Sequence, residues 1–409
     1  MKILHTSDWH LGKRLNDFQR HPEQVEVLNE ICEIADYNNV DIIIVAGDIY
    51  DNINPPVESQ ELLYKTLKRL ANNGNRLVIA IAGNHDSPDR IESPDTLAKE
   101  CGIIFIGYPF TVVKPFTLDS GTGVINSDSC YIEVTHPAYD YNLRIITTAY
   151  ANEYRLGTYL GNTTQENNLR DLLKENWEKV SDKYCNDKGV NILLAHLLMM
   201  NEGGEKPEES DDEKSINIGG ASEIFTSNIP KNIQYVALGH LHRKQLITSL
   251  PCPVVYSGSP LGYSFSEADQ KKFVSIVEVE PGKQAKVEYI EIQKGKKLKR
   301  ICYDDILKAS EWLKENRDTT LVELTMQSDN YLTAEERKLL NDSHPNIINL
   351  IPIVKSSPLN SENPIKEIDI SKDIEDLFIE FFKYKNSGQL PSNELLSLFR
   401  ELNSEEYKK

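Results

Sequence analysis

Seven residues of metal-binding type occur in order along the chain, each at or just past the end of an apolar, β-rich run. Five short motifs carry them: Ser7-Asp8-Trp9-His10, Gly47-Asp48, Gly83-Asn84-His85-Asp86, Leu193-Leu194-Ala195-His196 and Gly239-His240-Leu241-His242. In α/β proteins, sites form outside the carboxyl ends of the strands. The fold must therefore bring these strand ends together if the seven side chains are to serve one site.

Asp, Asn and His side chains together favour Mn²⁺, Fe or Zn over Ca²⁺ and Mg²⁺, because imidazole nitrogen suits transition metals. Asp48 ends an apolar run and follows Gly47, which allows close approach of the backbone, so we expect Asp48 to bridge two cations. Two metals about 3.5–4 Å apart can activate a water and hold the attacking and leaving oxygens of a displacement at phosphorus. The motifs therefore predict a two-metal phosphoesterase.

Two further residues of the third motif are candidates for catalysis. His85 follows Asn84 and should project over the site, where it could protonate the leaving oxygen or orient the phosphate. Asp86 is expected to hold the other ring nitrogen of His85, as carboxylates near metal sites often do for histidines.

Composition limits the class of protein. With 409 residues, the chain is long enough for two or three domains. No apolar stretch approaches the ~20 residues needed to span a bilayer, and no secretory segment is evident, so we expect a cytoplasmic protein without membrane association. The net charge of −18 argues against DNA binding unless bound cations or a partner subunit supply positive charge.

Alternating apolar runs and amphipathic segments predict an α/β fold. We expect a layered β-sandwich flanked by helices over residues 1–280, with early helices at 22–37 and 58–73. The expected strands lie at 1–8, 41–46, 77–82, 103–106, 191–195, 234–238, 254–256 and 273–280.

The remaining chain divides into three parts. Residues 281–355, with a first strand at 286–292, predict a small α+β domain, and a linker rich in Ser, Pro and Asn follows at 356–370. Two amphipathic helices are expected in the tail, 371–409. Such a hairpin either docks on its own chain or offers its apolar face to a partner.

Taken together, the motifs are those of the calcineurin-like metallophosphoesterases. Residues 2–12, 46–51 and 256–260, and the tail around Leu390-Pro391, resemble more closely the nuclease subunits of bacterial SbcCD complexes. The resemblance extends along essentially the whole chain, and the motifs of the first 260 residues are its most specific part.

The resemblance implies a role for each candidate residue. One metal would be bound by Asp8, His10, Asp48 and His242, and the other by Asp48, Asn84, His196 and His240. His85 would be the catalytic histidine. The implied cofactor is a pair of Mn²⁺ ions, with Mg²⁺ or another divalent transition metal as the alternative.

The family's activity would be ATP-dependent 3′–5′ exonuclease action on double-stranded DNA ends and endonuclease action on single strands and DNA hairpins. Its roles would be in DNA repair, recombination and replication. Residues 281–355 would form a capping domain that contacts DNA, and residues 371–409 a helical hairpin that binds an SbcC-type ATPase. The implied assembly is a homodimer within a heterotetramer.

Three features leave alternatives open. Archaeal and eukaryotic relatives carry a second catalytic histidine three residues after the bridging aspartate, where this chain has Asp51. The role of that histidine would pass to His85 or to water. The acidic loop 205–213 beside His196 would repel a phosphate backbone if it stayed close. The basic run 294–300 is either a track for the DNA backbone or a solvated turn.

The motifs are compatible with other functions. A phosphoesterase acting on small molecules or phosphoproteins would use the same core, because the metals act alike on any phosphate ester. A non-catalytic DNA-end or scaffold subunit is disfavoured by the complete ligand set, since buried aspartates facing one another without a metal are costly.

Overall fold

A computed structural model of the protein describes residues 1–157, 165–210, 223–354, 374–385, 390–392, 395–397 and 399–400. The chain divides into two compact units. The first comprises Met1–Arg300 with Asp318–Glu323, and the second Ile301–Arg317 with Leu324–Lys409.

The described chain contains the following regular elements. The strands are β1 (Lys2–Thr6), β2 (Arg14–Leu15), β3 (Phe18–Gln19), β4 (Ile42–Ala46), β5 (Leu77–Ile81), β6 (Ile103–Ile106), β7 (Phe116–Thr117), β8 (Gly123–Asp128), β9 (Tyr131–Thr135), β10 (Leu143–Thr148), β11 (Val190–His196), β12 (Met199–Met200), β13 (Ile224–Phe225), β14 (Tyr235–Gly239), β15 (Gln245–Thr248), β16 (Val254–Tyr256), β17 (Phe273–Glu278), β18 (Lys286–Glu291), β19 (Lys297–Tyr303), β20 (Thr320–Ser328) and β21 (Ile347–Val354). The helices are α1 (His21–Tyr37), α2 (Val57–Leu70), α3 (Pro88–Glu92), α4 (Asp95–Glu100), α5 (Glu153–Leu156), α6 (Gln165–Tyr184), α7 (Ile306–Glu315), α8 (Ala334–Ser343) and α9 (Ile374–Lys385).

Two large sheets form the first unit. One has the strand order β18-β17-β1-β4-β5-β6, in which β1, β4, β5 and β6 are parallel to one another. The other has the order β15-β16-β14-β11-β10-β9-β8-β7, with β10, β11, β14 and β16 parallel. Every residue of β4 and β5 is buried, as is typical of continuous apolar strands covered on both faces.

The hydrophobic core lies between the sheets. Apolar residues of the first sheet, such as Ile43, pack in one cluster with residues of the second, such as Ile192 and Ala237. Helix α1 adds Val27 and Ile31 to the same cluster. On the second sheet, Trp177 of α6 belongs to another core cluster and donates a hydrogen bond to Thr148 Oγ1 at 2.9 Å. The expected layered sandwich with flanking helices is confirmed.

The two early helices differ slightly from their expected bounds. Helix α1 begins one residue earlier, at His21, with Pro22 in its first turn, where the missing amide hydrogen costs nothing. Helix α2 ends at Leu70 rather than at 73. Asn73 adopts a left-handed conformation, with φ of 55°, in the short turn that follows, and this backbone cannot continue an α-helix.

The strand expected to open the small α+β domain lies elsewhere. Strand β18 pairs antiparallel with β17, from Phe273 opposite Glu291 to Glu278 opposite Lys286, and so extends the first sheet. The two strands are joined by a turn containing Gly282, whose φ is 68°. The Pro281-Gly282 pair therefore marks the turn of a β-hairpin, and the elements that follow begin with β19.

Strands β19, β20 and β21 form a separate three-stranded sheet. Helix α7 begins at an N-cap formed by Asp305, whose side chain accepts hydrogen bonds from the amides of Leu307 and Lys308. Helix α8 begins with a capping box between Thr333 and Glu336. These caps satisfy amide groups that a helix leaves without internal partners. The three strands and two helices make this segment mixed α and β, as expected.

In the tail, the Phe378 ring of α9 stacks on Phe399, with ring centroids 4.2 Å apart, and Arg400 Nε donates to Glu375 Oε2 at 2.8 Å. Residues 395–397, 399 and 400 are helical. The predicted linker, 356–370, lies outside the described residues. Among the described residues, no helix combines the length and hydrophobicity needed to cross a bilayer.

Candidate metal centre

The carboxyl ends of strands from both sheets meet at one edge of the sandwich. Ligand-type residues follow or end five of these strands: Asp8 follows β1, Asp48 follows β4, Asn84 follows β5, His196 ends β11 and His240 follows β14. Backbone hydrogen bonds join the loops after β1 and β4, from the Asp8 amide to the Gly47 carbonyl and from the His10 amide to the Asp48 carbonyl, both at 3.0 Å. The strand ends thus hold the predicted residues together.

One cluster contains Asp8, His10 and Asp48, each of which presents a ligand atom within 4.8 Å of the others. His10 Nε2 lies 3.7 Å from Asp48 Oδ2 and 2.9 Å from His242 Nε2. Two imidazole nitrogens at that separation need a proton or a cation between them, because two lone pairs facing each other repel. The four residues expected to bind the first metal therefore lie together.

A second cluster contains Asp48, His196 and His240, again with ligand atoms within 4.8 Å of one another. His196 Nε2 lies 3.5 Å from Asp48 Oδ2 and 3.0 Å from Asn84 Oδ1. The His196 Nδ1 is 2.8 Å from the Ala46 carbonyl, which can only accept a hydrogen bond, so Nδ1 carries a proton and Nε2 is the nitrogen that faces the cluster. Asp48 belongs to both clusters.

Glycine is required on two sides of this centre. A Cβ on Gly83 would lie 2.1 Å from Asp48 Oδ1, and one on Gly47 would lie 2.2 Å from His196 Nδ1. Left-handed backbone also occurs at the ligand-type residues themselves, with φ of 54° at Asp8 and 47° at Asp48. Such conformations cost of order 1–3 kcal/mol each and persist where the surrounding structure enforces them, often at functional sites.

The charge state of the centre suits cation binding. Burial alone would raise the pKa of Asp48, but His196 and the other nearby histidines hold it well below its usual range. Burial opposes protonation of His196, yet Asp48 raises the pKa of His196 to about 9, so without a metal its Nε2 also carries a proton, which a bound cation would displace. Burial keeps the pKa values of His10 and His240 well below the usual value, so both rings are neutral and can donate to a metal. The residues present fit divalent transition-metal cations.

His85 is part of the centre, with Nε2 4.0 Å from Asp48 Oδ2 and its ring centroid 4.7 Å from that of His10. We expected Asp86 to hold the other ring nitrogen, but His85 Nδ1 instead lies 2.7 Å from the carbonyl oxygen of Asp51. That role for Asp86 is wrong. The carbonyl can only accept, so His85 Nδ1 carries a proton and Nε2 is the nitrogen that faces Asp48.

Asp86 binds backbone instead. Its carboxylate accepts hydrogen bonds from the amides of Ile49 at 3.0 Å, Tyr50 at 2.8 Å and Gly83 at 2.8 Å. Ile49 and Tyr50 follow Asp48 in one loop, and Gly83 precedes Asn84 in the other. A buried amide without a partner costs about 1–3 kcal/mol. Asp86 thus joins two ligand-bearing loops.

Sequence reasoning missed Arg155, which supports the same loop from α5. Its Nη1 donates to the Gly83 carbonyl at 2.8 Å, and its Nη2 donates to the Asp86 carbonyl at 2.6 Å. The two bonds bracket the Asn84-His85 pair. A lone arginine in a polar stretch carries no sequence signal, so this contact could not be found from the motifs.

A buried ion pair beside His242 was also missed. Glu267 Oε1 lies 3.6 Å from His242 Nδ1, on the side of the ring away from the centre, and Glu267 Oε2 accepts from Lys272 Nζ. Lys272 Nζ also donates to the His242 carbonyl at 3.0 Å. The nearby motif, residues 256–260, was the only signal that this region mattered.

The fold and this site define a metal-dependent phosphoester hydrolase. A profile of the calcineurin-like phosphoesterases matches residues 1–244. The SbcD subunit of the SbcCD nuclease from Bacillus subtilis (strain 168) is 35% identical over 411 residues, which cover 99% of this chain and 98% of the relative. The chain therefore belongs to the SbcD family of calcineurin-like phosphoesterases.

Other relatives with the same name extend this similarity. The Staphylococcus epidermidis protein (strain ATCC 12228 / FDA PCI 1200) is 28% identical, covering 94% of this chain and 93% of the relative. The Escherichia coli protein (strain K12) is 30% identical, covering 84% of this chain and 83% of the relative. The match to the Bacillus subtilis relative, which covers 99% of this chain, includes the tail as well as the metal centre.

Proposed function

We propose that this protein is the DNA nuclease subunit of an SbcCD-type complex and that it hydrolyses phosphodiester bonds with two Mn²⁺ ions. The observation that carries the proposal is the pair of donor clusters sharing Asp48, in a chain similar from end to end to proteins called nuclease subunits. We further propose exonuclease action in the 3′–5′ direction on double-stranded ends and endonuclease action on single strands and DNA hairpins, driven by ATP through the partner.

Each metal would have its own ligand set around the shared carboxylate. The proposed ligands are Asp8, His10, Asp48 and His242 for one ion, and Asp48, Asn84, His196 and His240 for the other. When bound, such a pair of ions supplies an activated water and neutralises charge on the phosphate. Mn²⁺ is favoured over Mg²⁺ because four of the seven ligands are imidazoles.

The protein's own contribution centres on His85. Its Nδ1 proton is committed to the Asp51 carbonyl, 2.7 Å away, which fixes the ring orientation. Nε2 faces the centre and can carry the proton that the leaving oxygen needs. Asp51 stands where archaeal and eukaryotic relatives have a second histidine, and it contacts His85 through its backbone carbonyl. We therefore assign proton transfer to the leaving oxygen to His85.

The proposed partner is an SbcC-type ATPase bound by the tail, 371–409. In the described part of the tail, Ile374 and Leu390 are 52% and 65% exposed, so apolar surface is available to a partner. We propose that the α+β segment within residues 281–355 acts as the capping domain that contacts DNA, and that the assembly contains two copies of each subunit. Deleting 371–409 should abolish co-purification with the ATPase and leave basal cutting intact.

A phosphoesterase for small molecules is the alternative function, because the same centre would act on any phosphate ester. The two are separated by incubating a blunt, end-labelled DNA duplex with the protein and Mn²⁺, with and without the ATPase and ATP. Cutting that the ATPase stimulates and His85→Gln removes supports the nuclease. Hydrolysis of bis(p-nitrophenyl) phosphate without cutting of any DNA would contradict it.

A further inference from the structure

A pocket of about 250 Å³ lies beside the segment that carries His242. We call it the lysine pocket, because its lining includes six lysines: Lys271, Lys272, Lys294, Lys296, Lys297 and Lys299. All of its lining residues belong to the first compact unit. It contains most of the basic run, which the sequence left open between a DNA track and a solvated turn.

The backbone of this basic run is anchored, unlike that of a solvated turn. The amides of Gln293 and Lys294 donate to the carboxylate of Glu30, both at 2.8 Å, and the Lys296 amide donates to Glu23 Oε1 at 2.7 Å. Both acids lie on α1. Gly295, with φ of 85°, packs so tightly that an added Cβ would lie 2.5 Å from Leu261 Cδ2. The lysine side chains therefore extend from a fixed frame.

The pocket has an excess of positive charge. Three of its six lysines pair with carboxylates in its lining: Lys272 with Glu267, Lys271 with Glu291 and Lys299 with Asp269. Within the part of the chain that the structure describes, the other three, Lys294, Lys296 and Lys297, have no carboxylate oxygen within 4.0 Å of Nζ. Six lysines less three carboxylates leave three positive charges in a chain whose net charge is −18.

The inner wall of the pocket contacts the metal centre. Lys272 Nζ donates to the carbonyl oxygen of His242 and to Ser259 Oγ, both at 3.0 Å. Glu267 Oε1 lies 3.6 Å from His242 Nδ1. An anion in the pocket would thus lie one residue layer away from a side chain that we place on the first metal.

We propose that the lysine pocket binds a backbone phosphate of the DNA outside the metal centre. The proposal rests on the proposed nuclease function and adds a second phosphate site to it. Lysine ammonium groups bind phosphates as point charges without reading bases. This suits a nuclease that must advance along any sequence. The positive charge of the pocket would attract the DNA backbone locally, whereas the net charge of −18 would repel it.

The test is the salt dependence of DNA binding by the full chain in Mn²⁺, with His85→Gln added to every protein in the binding assay so that the DNA is not cut; hydrolysis is measured with His85 intact. The triple variant Lys294→Ala/Lys296→Ala/Lys297→Ala is compared with Lys174→Ala/Lys179→Ala/Lys188→Ala, which removes the same charge from exposed lysines of α6 and the turn after it. Losing one phosphate contact should reduce the slope of log K against log salt by about 1 in the pocket variant only. Hydrolysis of bis(p-nitrophenyl) phosphate should be unchanged in both.

Each other outcome overturns the proposal. Equal changes of slope in the two variants would mean that only overall charge matters. Unchanged DNA binding with lost co-purification of the ATPase would assign the pocket to an acidic protein surface. If the slope of the pocket variant equals that of the wild type and the wild type cuts DNA, the phosphate site is contradicted and the proposed nuclease function is not. If the wild type hydrolyses the small diester but binds no DNA, both the phosphate site and the nuclease function are contradicted.

Discussion

Glu267→Gln should weaken metal binding although Glu267 touches no proposed metal. The side chain is 2% exposed, and its Oε1 accepts hydrogen bonds from the amides of Tyr263 at 2.8 Å and Ser264 at 3.2 Å. Burial alone would raise the pKa of Glu267, but Lys272 and His242 hold it well below its usual range, so the carboxylate is charged. It faces Nδ1 of His242, whose Nε2 faces the centre.

Two losses of different size are expected. Breaking a buried ion pair by neutralising one partner costs about 3–5 kcal/mol, and the cost here should lie near the lower value because Lys272 keeps its bonds to the His242 carbonyl and Ser259. Separately, carboxylates that orient a metal-bound histidine are worth about 10–100-fold in metal affinity. The amide of glutamine retains the shape of the side chain but removes its charge.

A double variant separates the two losses. In Glu267→Gln/Lys272→Met the lysine charge is also removed, so urea unfolding without metal should show most of the stability restored. Calorimetric titration with Mn²⁺ should still show weakened binding, since His242 still lacks its carboxylate. Wild-type affinity in the stable double variant would refute the positioning of His242 by Glu267.

Three further perturbations test separate parts of the structure. Gly83→Ala should abolish binding of Mn²⁺ in a calorimetric titration, because its Cβ would lie 2.1 Å from Asp48 Oδ1, and full stoichiometry would contradict this. Arg155→Lys should lower kcat on a small phosphodiester, and the rise in activation free energy should exceed the loss in free energy of unfolding. One ammonium cannot replace the two guanidinium bonds to the loop that carries Asn84 and His85. An unchanged kcat would contradict this role of Arg155. Burial lowers the pKa of His5 from 6.5 to about 3, so the unfolded chain takes up the proton first and stability is lost as pH falls through that window. Urea unfolding of metal-free His5→Gln should vary less with pH between about 4 and 7 than that of the wild type, and an equal slope would contradict the assignment.

The clustering of the seven ligand-type residues could be predicted because it depends on two simple rules. Continuous apolar runs such as 42–46 form buried strands, and residues after parallel strands meet at one edge. Asp48 was expected to be shared because it ends such a run after a glycine, and the structure places it in both clusters. These inferences need only local pattern and strand order.

What the sequence could not reveal depends on contacts between distant segments. Asp86 was assigned to its neighbour His85, but three backbone amides compete for its oxygens, and buried amides that lack partners are costly. Glu267 and Lys272 look like ordinary surface charges until the fold buries Glu267 beside His242 and pairs it with Lys272. The strand at 286–292 was assigned to the small α+β domain, but it pairs with β17, and the sequence of a strand does not show which sheet the strand joins.

The central claim is that two metals share Asp48, and the number of bound ions tests it most directly. Metal-free protein titrated with Mn²⁺ should bind about two ions per chain, and electron paramagnetic resonance should show spin coupling between them. Asp48→Asn should weaken the binding of both ions and remove the spin coupling between them. A single ion per chain, or two uncoupled ions unaffected by Asp48→Asn, would contradict the shared centre.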